Sequence, residues 1–189
     1  MSSKKGFSYE RDLCHRLSVW WMGDLNYDDV VFWRTPCSGG QATMRAKKGL
    51  STVGRHGDMA AVDERGRAFT KLFVVEAKRG YSRSTIHDLL DKPPTAKEQQ
   101  YEEWLRKLTG KCKELDVPFW LLIHKRDRRE EMAYVPLNAA VVLNLPSLVR
   151  MDTVKFGVVC GFTLKAFLEQ NDRAKIEKVL VDMRPTIDV

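Results

Sequence analysis

Residues 72–78 constrain the fold more than any other segment, because they form a predicted β-strand that is largely apolar on both faces. One face carries Leu72, Val74, Glu76 and Lys78. The other face carries Phe73, Val75 and Ala77. Such a strand is expected inside the protein, covered on both sides. Glu76 and Lys78 point the same way at its end, so we expect them in a partly buried position. The alternative is an exposed ion pair on an edge strand, which would contribute little to stability.

Glu10 is a second carboxylate that the sequence places against apolar surroundings. Residues 7–22 show the helical spacing of large apolar side chains, which are Leu13, Leu17, Trp20 and Trp21. Glu10 lies three residues before Leu13 and seven before Leu17, so it projects from the buried face of this predicted helix. A buried carboxylate is costly unless it is paired or bound to a cation. The alternative is that Ser8 caps the helix and Glu10 only favours the dipole of its first turn.

Asp58 is the third carboxylate, and it follows Gly57 at the start of a predicted strand over residues 58–62. Residues 63–66 have the composition of a tight turn, and they would join this strand to residues 72–78 as a hairpin. Asp58 and Glu76 would then lie on adjacent strands. The alternative is that Asp58 is only a turn residue that opens the hairpin.

These groups together suit the hydrolysis of a phosphodiester bond. Asp58 and Glu76 would hold a hard divalent cation such as Mg²⁺, and the carbonyl of Ala77 would add a third oxygen. Glu10 would share this ion or help to hold a second one. Lys78 would stay cationic beside the carboxylates, stabilise the developing negative charge and orient the attacking water.

Gly57-Asp58 followed by Glu76-Ala77-Lys78 resembles the motif of the PD-(D/E)XK nuclease superfamily. Within it, the chain is similar to the archaeal-type Holliday junction resolvases, whose first helix carries a Phe-x-x-Glu-Arg-x-Leu pattern. The residues that match are Phe7, Glu10, Arg11, Leu13, then Arg34 near the end of the first strand, and Ser38-Gly39.

The resemblance implies roles for these residues. It implies that the catalytic residues are Glu10, Asp58, Glu76 and Lys78, with Mg²⁺ as the cofactor and Mn²⁺ as a substitute. It further implies that Arg11, Arg34 and Ser38 contact or position the DNA backbone. One departure is Gly57, which stands where the superfamily motif has proline.

The predicted fold is α/β, with a restriction-endonuclease-like core made of a helix, a three-strand meander, a helix and a strand. The resemblance covers about residues 7–135 of a single nuclease domain over residues 1–189. Residues 136–189 have no counterpart in the resolvases and are expected to form a C-terminal α/β extension. Beyond those above, the predicted elements are strands 30–34, 118–125, 133–137 and 154–162, and helices 95–115 (with a Thr95–Glu98 capping box), 163–170 and 174–182.

Charge favours a polyanionic partner, since 32 lysine and arginine residues outnumber 25 aspartate and glutamate residues and give a net charge of +7. Residues 30–57 contain no acidic residue at all. The basic residues of that stretch are predicted to contact DNA, together with Arg11, Ser38 and Arg79. They are Arg34, Arg45, Lys47, Lys48 and Arg55. The alternative is that the stretch is only a solvated loop. Residues 125–131 mix both signs and favour a charged hairpin tip over a DNA contact.

The sequence argues against a zinc-binding protein, a membrane-spanning protein and a secreted protein. The four cysteines are too dispersed for a zinc site, being Cys14, Cys37, Cys112 and Cys160. No apolar run approaches the ~20 residues of a membrane span, and no signal-peptide core follows the first residues. A cytoplasmic location is therefore expected, without a membrane partner.

The predicted function is that of a Mg²⁺-dependent DNA endonuclease, similar to a Holliday junction resolvase. A resolvase cuts two strands symmetrically, so a homodimer would follow from that similarity. Two alternatives stay open. One is a restriction or repair nuclease of the same fold, and the other is a DNA-binding module without catalysis.

Neutralising Lys47 and Lys48 together is expected to weaken DNA binding and flatten its salt dependence. Each lost contact with a duplex phosphate should lower the log–log slope by about 0.9, because fewer counterions are released. Fluorescence anisotropy of a labelled duplex across a salt series measures this slope. An unchanged slope would make the acid-free stretch an ordinary solvated surface.

Overall fold

A computed structural model describes residues 2–35, 57–91, 95–153 and 155–183. Within these ranges the α-helices, in chain order α1 to α6, are Ser2–Met22, Arg67–Leu72, Gln100–Leu115, Leu137–Val142, Leu164–Glu169 and Arg173–Asp182. The strands β1 to β7 are Phe32–Arg34, Met59–Ala61, Phe73–Arg79, Phe119–Lys125, Glu131–Pro136, Val149–Thr153 and Gly157–Thr163. Two short 3₁₀ turns lie at Glu64–Gly66 and Ile86–Leu89.

A five-stranded mixed sheet in the order β3-β4-β5-β7-β6 forms the centre of the protein. β3 and β4 are parallel, and the other neighbours are antiparallel. β1 and β2 pair separately as a small antiparallel sheet. The α/β class predicted from the sequence is confirmed.

Strand β3 is buried on both faces, as its sequence predicts. Phe73 and Val75 face the core on the side of α1, together with Leu13, Leu17 and Trp21. Val74 faces the opposite side, where α3 supplies Trp104, Leu105 and Leu108. Two helices therefore enclose the strand that carries Glu76 and Lys78, and the end of that strand alone reaches solvent.

The connection between β2 and β3 differs from the predicted hairpin. Asp63 accepts a hydrogen bond from the backbone N–H of Arg65 and so opens a 3₁₀ turn, after which α2 follows directly. Phe69 and Leu72 of α2 are fully buried, three residues apart on one helical face. This apolar face makes the segment helical, so the predicted meander does not form as an antiparallel hairpin. Instead, Gly57 bridges Val75 in a parallel sense.

Helix α3 begins five residues later than predicted, at Gln100 instead of residue 95. The capping box predicted for Thr95 and Glu98 is wrong, because Gln99 and Glu102 form it. The Gln99 N–H donates to Glu102 Oε2 at 2.8 Å. The buried residues of this helix form an apolar stripe at helical spacing, which includes Tyr101, Trp104, Leu105, Leu108 and Cys112.

Residues after 136 complete the same sheet. β7 pairs with β5 in the middle of it, and β6, which the sequence analysis missed, pairs with β7 at the edge. Outward Arg150 and Asp152 alternate with inward Met151 and Thr153, so β6 lacks the apolar run by which a central strand is recognised.

Among the described residues no helix is both long and apolar enough to cross a bilayer.

Glu131 ties α1 to β5 through one cluster of hydrogen bonds. Tyr9 donates to Glu131 Oε1 at 2.5 Å, and Arg16 donates to both carboxylate oxygens at 2.8 and 2.9 Å. The Glu131 side chain is only 15% exposed. Burial by itself raises the pKa of this carboxyl, but the hydrogen bonds from Arg16 and Tyr9 outweigh it, and the pKa lies below its usual range.

Glu131→Gln is expected to lower the free energy of unfolding by about 2 kcal/mol at neutral pH, because a charged bidentate pair is lost. The depressed pKa of Glu131 means that its stabilisation is present above the ordinary glutamate pKa of about 4.3 and is lost as the pH falls below it. The difference between variant and wild type should therefore shrink towards about pH 3.

Glu177→Gln is the matched control, since Glu177 makes a solvent-exposed pair with Arg173 on α6. It should cost about 0.3–0.5 kcal/mol. Urea denaturation at both pH values measures all three proteins, and equal losses for the two variants would contradict a structural role for Glu131.

Candidate active site

Asp58, Glu76 and Lys78 meet at the end of β3, as the sequence predicts. Lys78 Nζ donates to Glu76 Oε1 at 2.5 Å and to Asp58 Oδ2 at 3.3 Å. Asp58 is 4% exposed and Glu76 is 7% exposed. Two carboxylates from different elements are therefore buried around one ammonium group.

The backbone fixes Asp58 against the open edge of β3. Its N–H donates to the Val75 carbonyl at 2.8 Å, and its carbonyl accepts from the Thr35 N–H at 3.0 Å. The Asp58 carboxylate in turn accepts from the Ala77 N–H at 3.0 Å. Because the N–H and C=O of one strand residue point to the same side, the Ala77 carbonyl also faces this edge.

Gly57 permits this close approach. It has a φ of +79°, and a Cβ built on it would lie 2.1 Å from the Val75 carbonyl oxygen. Proline holds φ near −65° and would be excluded at this position. The backbone thus accounts for glycine where the resemblance predicted proline.

Glu10 lies beside this group, but it is held by a different cation. Its Oε2 accepts from Arg34 Nε at 3.2 Å, and the Arg34 guanidinium lies 4.4 Å from the Phe7 ring centre. Burial and the nearby Asp58 raise the pKa of Glu10. The alternative that Glu10 belongs to the first helical turn is wrong, since α1 begins at Ser2.

Lys111 is a residue of the site that the sequence analysis missed. It extends from α3, and its Nζ lies 2.9 Å from Glu76 Oε2. The signal was available, because Lys111 follows Leu108 by three residues and Trp104 by seven on the buried face of a helix. The same spacing argument that singled out Glu10 applies to it.

The charges of the site balance one another. Burial raises the pKa of Asp58, and the carboxylate of Glu76 raises it further. Burial also acts to raise the pKa of Glu76, but Lys78 and Lys111 outweigh it and the pKa is lowered. Burial acts to lower the pKa of Lys78, but Asp58 and Glu76 outweigh it and the pKa is raised. Lys78 is therefore a firmly cationic group.

The donor atoms fit a hard divalent cation. Asp58 Oδ2 and Glu76 Oε1 both lie within hydrogen-bonding reach of the Lys78 nitrogen, so a cation at a similar position can reach both carboxylates. Within the described ranges, no His, Cys, Asp and Glu side chains form a group of three or more that could hold a metal ion. Glu10 is accordingly a neighbour of this pair and is paired with Arg34.

Only some of the residues predicted to contact DNA lie among the described residues. Arg11 and Arg79 are exposed, and the Arg79 guanidinium lies 5.9 Å from the ring centre of Tyr9. Arg34 is partly buried against Glu10. The remaining predicted contacts lie outside the described residues, namely Ser38, Arg45, Lys47, Lys48 and Arg55.

Comparison with known proteins gives one family. A family model described as "Phage putative PDDEXK endonuclease" matches residues 1–177 of the chain. No curated protein and no solved structure matches.

Gly57→Ala is expected to lower the free energy of unfolding by about 2–4 kcal/mol, since the left-handed backbone and the clash with Val75 both oppose a side chain. Gly110→Ala is the control. Gly110 lies within α3, and a Cβ there would meet nothing within 4 Å. It should stabilise the protein by about 0.5–1 kcal/mol. Thermal or urea unfolding measures both, and similar effects of the two substitutions would contradict the tight Gly57–Val75 contact.

Proposed function

This chain belongs to the phage PDDEXK endonuclease family, and from that membership we propose that it is a divalent-cation-dependent DNA endonuclease. The observation that carries the proposal is the pair of buried carboxylates, Asp58 and Glu76, that share one ammonium group. Buried acids of this kind need a cation beside them. A protein that only bound DNA would gain nothing from carboxylates that face phosphates.

Asp58 and Glu76 are the proposed ligands of Mg²⁺, with Mn²⁺ as a substitute, and the Ala77 carbonyl faces the same edge. Glu10 lies next to them and would join the set once released from Arg34. The bound ion would offset the charge of the phosphate and lower the pKa of a water molecule.

Lys78 acts as an electrostatic stabiliser in this proposal. Its two carboxylate neighbours raise its pKa, so it keeps its proton and is unsuited to act as a general base. Its ammonium group would donate hydrogen bonds to the attacking water and to a non-bridging phosphate oxygen. Holding the water in line with the phosphorus is the positioning part of catalysis.

Contacts with the DNA backbone would come mainly from lysine and arginine side chains. Arg11 on α1 and Arg79 at the end of β3 are exposed. The acid-free stretch supplies the rest of the proposed contacts, which are Arg34, Ser38, Arg45, Lys47, Lys48 and Arg55. Such contacts would fix the position of the duplex without reading its sequence.

The DNA substrate is tested by offering the purified protein a supercoiled plasmid and a four-way junction in Mg²⁺, Mn²⁺, Ca²⁺ or EDTA. Paired, symmetrical cuts across the junction by a dimer would support a resolvase. Cleavage of the plasmid without preference for the junction would support a restriction or repair nuclease. Binding without cleavage in any of the metals would overturn the proposed catalysis.

Asp58→Asn and Glu76→Gln are each expected to reduce the cleavage rate at least about a thousandfold, because the cation would lose a charged ligand. Without a divalent cation, the DNA affinity of Asp58→Asn should stay within about threefold of wild type, since phosphates are bound by the surrounding lysine and arginine side chains. Glu103→Gln is the control, because Glu103 is a more exposed carboxylate paired with Lys107 on α3.

Single-turnover cleavage and anisotropy measure the rate and the affinity, and circular dichroism checks the fold. Near-wild-type cleavage by either active-site variant would refute the assignment of that residue.

A further inference from the structure

Lys111 and Lys78 occupy the two oxygens of one buried carboxylate. Lys78 Nζ is 2.5 Å from Glu76 Oε1, and Lys111 Nζ is 2.9 Å from Glu76 Oε2. The Lys111 side chain is 32% exposed, whereas that of Glu76 is 10% exposed, so Lys111 is the more accessible partner. Lys78 arises from the same strand as Glu76, whereas Lys111 comes from a separate element.

A lysine in this position competes with any divalent cation that binds Glu76. An ammonium group beside a carboxylate attracts it and repels a second cation at the same oxygens. Once another cation neutralises Glu76, the reason for Lys111 to stay bound to it is removed. Its ammonium group would then lie at a partly open site with three donors available for the nearest acceptor. In a nuclease with DNA bound, that acceptor would be a phosphate oxygen.

We propose that Lys111 is a phosphate-binding residue that exchanges its partner, from Glu76 in the cation-free protein to the DNA backbone when a divalent cation is bound. This inference rests on the proposed function. Lys111 thereby couples two binding events, since DNA that holds Lys111 removes a competitor of the cation, and the cation that occupies Glu76 frees a phosphate contact. Such coupling is reciprocal by thermodynamic necessity.

Lys111→Met, which keeps the length of the side chain and removes its charge, separates this role from a purely structural one. Without DNA, Mn²⁺ binding by calorimetry should become several-fold tighter, because a competing charge is gone. Affinity for a labelled duplex in Ca²⁺ should fall about tenfold, with the salt slope reduced by about 0.9. Affinity for the same duplex in EDTA should not change, because Lys111 is then held by Glu76.

Lys107→Met is the matched control, one helical turn earlier on α3, where Lys107 is exposed and paired with Glu103. It should leave all three measurements unchanged. Lys111→Arg should restore most of the Ca²⁺-dependent DNA affinity, because the charge returns. Gel analysis confirms that the duplex stays intact in Ca²⁺, and thermal unfolding confirms that each variant is folded.

Two results would overturn the inference while leaving the proposed function in place. Weaker Mn²⁺ binding by Lys111→Met would show that Lys111 only positions Glu76, and an equal loss of DNA affinity with and without Ca²⁺ would show that no exchange occurs. If the wild-type protein bound neither Mn²⁺ nor DNA, the proposed function itself would fail.

Discussion

Buried negative charge at the end of β3 is the constraint around which the other features of the site are arranged. Asp58 and Glu76 both lie in the protein interior, and two bare carboxylates there would repel each other and pay a large desolvation cost. Lys78 offsets both by lying between them. Backbone hydrogen bonds from Asp58 to Val75 and Thr35 help to hold one member of this ion cluster in place. A cluster so enclosed is costly to build, and buried carboxylates with shifted pKa values are typical of functional sites.

The fold brings these groups together at one side of β3, which is the edge strand of its sheet among the described residues. β4 pairs with β3 along its length, and among the described residues the backbone of the Gly57–Asp58 segment bonds to the opposite side. That segment reaches β3 by a single parallel bridge and places a carboxylate where the next strand would continue. The left-handed backbone of Gly57 makes the bridge close enough for Asp58 to bind the Ala77 N–H. Gly57, which stands where the superfamily motif has proline, is thus required for the close contact between this segment and Val75.

Features of the fold and the site could be predicted from the sequence where they depend on a single helix or strand. The alternation of β3 placed Glu76 and Lys78 on one face, and helical spacing placed Glu10 inwards, because these are properties of single elements. The turn-like composition of residues 63–66 predicted a hairpin, but Asp63 instead caps a short turn that leads into α2. The partners of the acids could not be read from single elements. Lys111 reaches Glu76 only because α3 packs across β3, and no local pattern reports which helix covers which strand.

The three acids of the site each have a basic partner within reach, so the protein's own side chains balance their charge. Arg34 holds Glu10, Lys78 holds Asp58 and Glu76, and Lys111 holds the second oxygen of Glu76. With three carboxylates and three bases, the cluster is close to neutral without any bound ion. A cation that bound the carboxylates would leave the arginine and lysine side chains without their negative partners. The resulting positive charge would favour the binding of a polyanion at the same edge. The arrangement that stabilises the protein alone is thus the one that would prepare it for a phosphate.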